Sequence, residues 1–324
     1  MSALRPSPLA LLTASILAAG AWSAPGSGQT VEWIVRDAPL EAPGAGPPHV
    51  EPHLAADPAD PDHLVAASIV VGADGDRWHC AVLASFDGGS AWVRTDFGAM
   101  ERCIDPWVVV LPEDTALFAA IEIRSDGQGP DRFRLHLHRS LDGGRTWSPE
   151  PDTLGRRLEH PILAFGGPAH GGALYLGARL FVRGPEEEAW AHAGRVGHLE
   201  GADPTRARRT ALIGPARDLI VTGVAPLPGG DLVVTYRDFH GEVEGSADVA
   251  ERARGWAARS EDGGRSFGEP VLVDSACASG GLARAFPGYP SAAMAGAEGP
   301  SRTRLYHACV RRDLEGVAVS RSTD

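Results

Sequence analysis

The sequence predicts an all-β chain, a β-propeller of four-stranded antiparallel blades, six when complete. Three observations carry that prediction. A Gly-Gly octapeptide recurs, a strand start with the pattern x-Pro recurs ahead of it, and the composition favours turns over long helices. Among 324 residues there are 40 Gly and 26 Pro, against 6% aromatic residues. The chain is 43% hydrophobic and 22% charged, which is ordinary for a globular protein. Its length allows a core that buries roughly three-quarters of the unfolded surface.

The octapeptides are Ser85-Phe-Asp-Gly-Gly-Ser-Ala-Trp92, Ser140-Leu-Asp-Gly-Gly-Arg-Thr-Trp147 and Ser260-Glu-Asp-Gly-Gly-Arg-Ser-Phe267. The terminal Ser322-Thr-Asp324 starts another copy. Asp87, Asp142, Asp262 and Asp324 fall 55, 120 and 62 residues apart, and the middle interval is two periods. A degraded copy is therefore expected near His198-Leu-Glu-Gly-Ala-Asp203. Asp-Gly-Gly suits a hairpin turn that needs positive φ, with the Asp carboxylate bonding the turn's own amides. The Trp or Phe then caps the hairpin with apolar surface. A strand precedes each copy: Ala81–Ala84, Arg134–His138, Gly255–Ala258 and Gly316–Val319.

Each unit opens alike, with Glu51-Pro52, Asp105-Pro106, His160-Pro161 and Tyr289-Pro290, while the fourth has Asp218-Leu-Ile-Val. A second strand follows at Leu64, Ala116, Ala173, Asp231 and Arg304. Each unit is thus one antiparallel blade. Residues 47–324 are assigned to the propeller, and 24–46, with its Pro/Gly stretch Ala42–Pro48, to a linker. The period runs out inside the fifth blade. Six blades would need roughly 60 to 90 further residues, and a chain ending there should be poorly stable, with an unpaired edge and an uncovered blade face.

Residues 1–23 read as a secretory signal peptide: Arg5, an apolar run from Leu9 to Ala21, then small residues. The expected location is secreted or periplasmic, and no segment is expected to span a membrane. In that compartment four Cys favour disulfides over a metal site, there being no CxxC. Cys80–Cys103 and Cys277–Cys309 each close a short loop, and Cys103 and Cys277 lie 18 residues after Ser85 and 17 after Ser260, like positions after their octapeptides. The formal charge is −12, and every basic residue is Arg. That balance argues against nucleic acid as a partner.

The repeated S-x-D-G-G-x-[TS]-[WF] motif is that of Asp boxes, and residues 47 to 324 resemble the sialidase-like (bacterial neuraminidase repeat) β-propellers. The resemblance implies structural roles for the boxes, which that fold also carries in xyloglucanase-type hydrolases, sorting receptors and non-catalytic propellers. It also implies a glycan or glycoconjugate partner, no cofactor, and a site on the face away from the boxes. That face gathers the starts of the innermost strands, with Glu51, Asp105, Glu159, His160, Asp218 and Tyr289, and the loops from second to third strands. The loops bring Asp74, Asp76, Arg124, Asp126, Arg183, Arg237, Asp238, Arg311, Arg312 and Asp313.

Sialidases of this family grip a substrate carboxylate with three Arg, use an Asp as acid/base, and use a Tyr paired with a Glu as nucleophile. By position, Asp74 or Asp76 stands for the acid/base and Tyr289 for the nucleophile. Arg124, Arg237 and Arg312, with Glu51 and Asp105, stand for substrate binding. The family's first Arg lies in an F-R-I-P motif, and here the place reads His49-Val50-Glu51-Pro52. Val cannot make the bidentate contact, so weak or no cleavage of sialosides is expected. His136 and His138 share a strand face, as two metal ligands could, but no third ligand is evident. Three functional readings follow: an exo-acting sialidase-type hydrolase on acidic glycans, a non-catalytic propeller binding a glycan or protein, and a hydrolase of another specificity.

Overall fold

The computed structural model describes residues 46–72, 75, 77–183, 190–199, 207–213, 219–238, 254–274, 291–295, 304–310 and 317–322. These form 19 strands and two short 3-10 turns, and no α-helix occurs among them. Blade 1 is β1 (His49–Ala56), β2 (Leu64–Val71), β3 (Trp78–Ser85) and β4 (Val93–Phe97). Blade 2 is β5 (Cys103–Leu111), β6 (Thr115–Ile123), β7 (Phe133–Ser140) and β8 (Asp152–Arg156). Blade 3 is β9 (Leu158–Phe165), β10 (Leu174–Arg183), β11 (Trp190–Leu199) and β12 (Ala207–Ile213). Blade 4 is β13 (Leu219–Pro226), β14 (Leu232–Asp238), β15 (Arg254–Ser260) and β16 (Val271–Asp274), and β17 (Ser291–Ala295), β18 (Arg304–Val310) and β19 (Val317–Arg321) form a three-stranded sheet. Every sheet is an antiparallel meander in chain order. The first strands β1, β5, β9, β13 and β17 pack side by side in succession, so they line the middle of the fold.

The blades are held together by apolar layers between their faces. On β6, Ala116, Phe118 and Ala120 turn towards Val65, Ala67 and Ile69 of β2, while Leu117, Ala119 and Ile121 turn towards Leu174, Leu176 and Ala178 of β10. A third layer joins Tyr175 of blade 3 to Val221, Val234 and Tyr236 of blade 4. A second strand buried on both faces must be apolar throughout, which is why these strands read as continuous Ala/Leu/Val/Ile runs. Gly177 shows how close the layers approach. A Cβ there would lie 2.6 Å from Val224 Cγ2 and 2.9 Å from Val221 Cγ1. We expect Gly177→Val to lower the unfolding free energy by about 1–3 kcal/mol or more, measured by urea denaturation. An unchanged midpoint would mean that the blades can part without cost.

The three octapeptides fold alike. Ser140 Oγ donates to Asp142 Oδ1 (2.7 Å) and accepts the Gly144 N–H (2.7 Å). Asp142 Oδ1 accepts the Thr146 N–H at 2.8 Å, and Trp147 Nε1 donates to the Gly144 carbonyl at 3.1 Å. Ser85/Asp87 and Ser260/Asp262 repeat the pattern. Hydrogen bonds from Ser266 hold the Asp262 carboxyl well below the usual range. Gly143 and Gly144, at φ +71° and +95°, supply the positive φ that the turn needs. His63 of blade 1 bonds the Gly143 carbonyl of blade 2 through Nε2 (2.8 Å), tying one blade to the next turn. The place of the degraded copy, between β11 and β12, lies largely outside the described residues, as does Asp324.

Cys80 of β3 and Cys103 of β5 form the expected disulfide, a covalent link from blade 1 to blade 2. The Cys277–Cys309 pair falls outside what is described, since Cys277 is not among the described residues. None of the described helical segments is long and apolar enough to cross a membrane.

Candidate active site at the mouth of the central strands

Strand direction places the site. First and third strands run parallel, so the octapeptide turns lie at the end where the central strands finish. Their starts gather at the opposite end. There Glu51, Asp105 and His160, each just before a proline, have φ of 51°, 52° and 50°. A left-handed residue before proline is sterically disfavoured, so the surroundings must hold it. All three begin a β-bulge, with ladder shifts between Val50/His53 and Ile104/Trp107, and opposite Gly177/Arg179.

A bulge frees a backbone N–H from the ladder, and at His160 the preceding blade supplies an acceptor for it. Asp105 Oδ2 accepts the His160 N–H at 2.9 Å, and the Glu51 carboxyl lies near enough to Asp105 for the two to affect each other's charge. A carboxylate of blade 2 is thereby tied to the backbone of blade 3. Neighbouring Glu159 pairs with Arg179 of β10, Oε2 to Nη1 at 3.1 Å. The Arg179 guanidinium also lies 5.1 Å from the Phe181 ring.

This crowding shifts proton affinities. Asp105, with a side chain only 9% exposed, is pushed up to about 6 because burial disfavours its charge. Glu51 and Glu159 are also raised, first by burial; the Asp105 charge adds to both. Burial lowers His160, which favours its neutral imidazole. Below them His53 stacks on Trp107 at 3.7 Å and accepts the Val108 N–H, and burial lowers it to about 4.

Asp105, Glu159 and His160 offer ligand atoms within 4.8 Å of one another. Asp105 already takes a backbone N–H and Glu159 a guanidinium, so the cation paired with this group is Arg179. His136 and His138 do share a face. His136 bonds Glu122 and Thr153, and His138 bonds the Ser148 carbonyl and stacks on Phe118.

The expected binding residues distribute unevenly. Glu51 and Asp105 converge at the mouth, as the x-Pro pattern indicated. Arg124 is on the correct side but bonds Asp126 (3.0 Å) and lies 3.7 Å from Glu122, a local ion-pair cluster of blade 2. Arg237 was placed in a loop from sequence; it is instead inside β14 and 2% exposed. The apolar run Leu232-Val-Val-Thr-Tyr simply continues as strand through Arg237 and Asp238. Arg179, which the sequence reading overlooked, occupies the same register. It lies two residues beyond Gly177, opposite Ile162, as Arg237 lies two beyond Thr235, opposite Gly223. Its signal was a charge inside an otherwise apolar second strand. Val50, at the family's first Arg position, is 38% exposed. Asp74, Asp76, Tyr289 and Arg312 lie outside the described residues.

No family model matches the chain, and no curated protein matches it. Solved structures do. The α-L-arabinofuranosidase Arb93A of Fusarium graminearum superposes with a TM-score of 0.51 at 12% identity, over 82% of this chain and 77% of that one. The Hadza microbial sialidase Hz136 gives 0.53 at 20% identity, over 84% and 56%. The sialidase of Trypanosoma rangeli gives 0.55 at 11%, over 85% and 46%. The chain thus spans about half the length of these two sialidases. The fold is a sialidase-like β-propeller.

Proposed function

We propose that this protein is a secreted glycan-acting propeller that cleaves glycosides at the mouth formed by Glu51, Asp105 and Glu159. One observation carries the reading: three carboxyl groups with raised proton affinity, from three successive blades, meet on the face away from the octapeptide turns. Glycoside hydrolysis needs a carboxylic acid to protonate the leaving oxygen and a second carboxylate as nucleophile or base. Asp105, pushed up to about 6, suits the proton donor. Glu51, the more exposed neighbour, suits the second role. The glycosidase names of the structural neighbours support this reading, as do the leader-like first 23 residues and the Cys80–Cys103 disulfide. Asp74, Asp76 and Tyr289 remain candidates for the same chemistry. Arg237 and Arg312 remain candidates for gripping an acidic sugar, the exo-sialidase form of the reading.

A non-catalytic glycan- or protein-binding propeller is the second reading. It is favoured by the fact that Asp105 already holds a backbone N–H of the next blade. Fluorogenic aryl glycosides of arabinose, galactose, glucose, mannose and sialic acid separate the two. We expect turnover of at least one, reduced by about 10²–10⁴-fold in Glu51→Gln. Sugar binding without turnover of any member would establish the second reading instead.

A further inference from the structure

We infer that this mouth takes a neutral, hydroxyl-rich sugar and rejects an anionic one of the same shape. The inference rests on the glycan-acting reading above and assigns its substrate class. Among the described residues the mouth holds three carboxyl groups, Glu51, Asp105 and Glu159, and one imidazole whose neutral form burial favours, His160. The guanidinium that meets them, Arg179, is already 3.1 Å from Glu159. Arg124 is held by Asp126 and Glu122, and Val50 contributes only a methyl-bearing surface. Arg237, at the register of Arg179 one blade further on, is only 2% exposed and so offers almost no surface to a ligand.

An incoming carboxylate would therefore meet acceptors and like charge. It would lose its own water and raise proton affinities that burial has already raised. Sugar hydroxyls are the complementary partners. Each can donate to a carboxylate oxygen, and several such bonds satisfy acceptors that a carboxylate ligand would leave unpaired. Selection against the anion comes from the unfavourable contact as much as from the favourable one.

Matched sugars test this with the full chain. Isothermal titration would compare glucose, galactose and mannose methyl glycosides with the corresponding uronates, and with N-acetylneuraminic acid. Expected is binding of at least one neutral member, at least about tenfold tighter than its uronate, with the gap reduced in Glu159→Gln. A uronate or sialic acid that binds as tightly as its neutral counterpart, or a panel with no neutral binder, would overturn the inference. Neutral preference without hydrolysis leaves the inference standing and removes the hydrolase reading, so the two failures are separable.

Discussion

Replacing Asp105 with Asn is expected to make the protein more stable at pH 7.5 while sharply reducing turnover. The cause is the burial of a charged group. Asp105 has its proton affinity raised from 3.8 to about 6 in the folded chain. The folded state then binds the proton more tightly than the unfolded state. On this group's account, stability is greatest below about pH 3.8, declines as pH rises to about 6, and stays low above it. A shift of this size corresponds to about 3 kcal/mol. Asn keeps a carbonyl oxygen for the His160 N–H and removes the charge. Thermal melts should show Asp105→Asn above wild type at pH 7.5, with the difference fading by about pH 4. Turnover should fall by about 10²–10⁴-fold, since the proposed proton donor is removed. A variant less stable than wild type at pH 7.5 would show that the carboxylate's bond to blade 3 outweighs the cost of burying it.

Cutting the Cys80–Cys103 bridge should be the largest single loss of stability away from the site. The two cysteines are 23 residues apart and wholly buried, and they join the third strand of blade 1 to the first strand of blade 2. Closing a loop of that length is worth about 3 kcal/mol on the chain-entropy view. Cys80→Ala/Cys103→Ala should therefore unfold at clearly lower denaturant than wild type, and reductant should shift wild type the same way. Non-reducing peptide mapping should recover the Cys80–Cys103 peptide. Free thiols at both positions, with an unchanged midpoint, would contradict the assignment.

Much of the architecture was legible because it rests on local chemistry that repeats. Asp-Gly-Gly fixes a turn, and Ser and Thr add its hydroxyl bonds. The apolar second strands reveal themselves because both faces are covered. The site was legible only in part. Glu51 and Asp105 announced themselves through the x-Pro pattern, yet nothing local says that the residue before proline takes positive φ. That conformation is imposed by the bulge and, at His160, by the carboxylate arriving from the preceding blade. Arg179 was hidden for a related reason: a charge inside an apolar strand gains its meaning from Glu159 across the ladder, a pairing that the register sets. Arg237 looked like a loop residue because a charged pair, Arg237-Asp238, ends the apolar run. The strand in fact carries both residues.

A crystal structure of the full chain with a cationic iminosugar would test most directly whether the mouth is the glycoside-cleaving site. Three acidic groups against one engaged guanidinium should hold a protonated ring nitrogen. The expected result is that nitrogen about 3 Å from a carboxylate oxygen of Glu51, Asp105 or Glu159, with sugar hydroxyls on the remaining acceptors. An iminosugar seated on the octapeptide face, or held in a groove away from these three residues, would contradict the account.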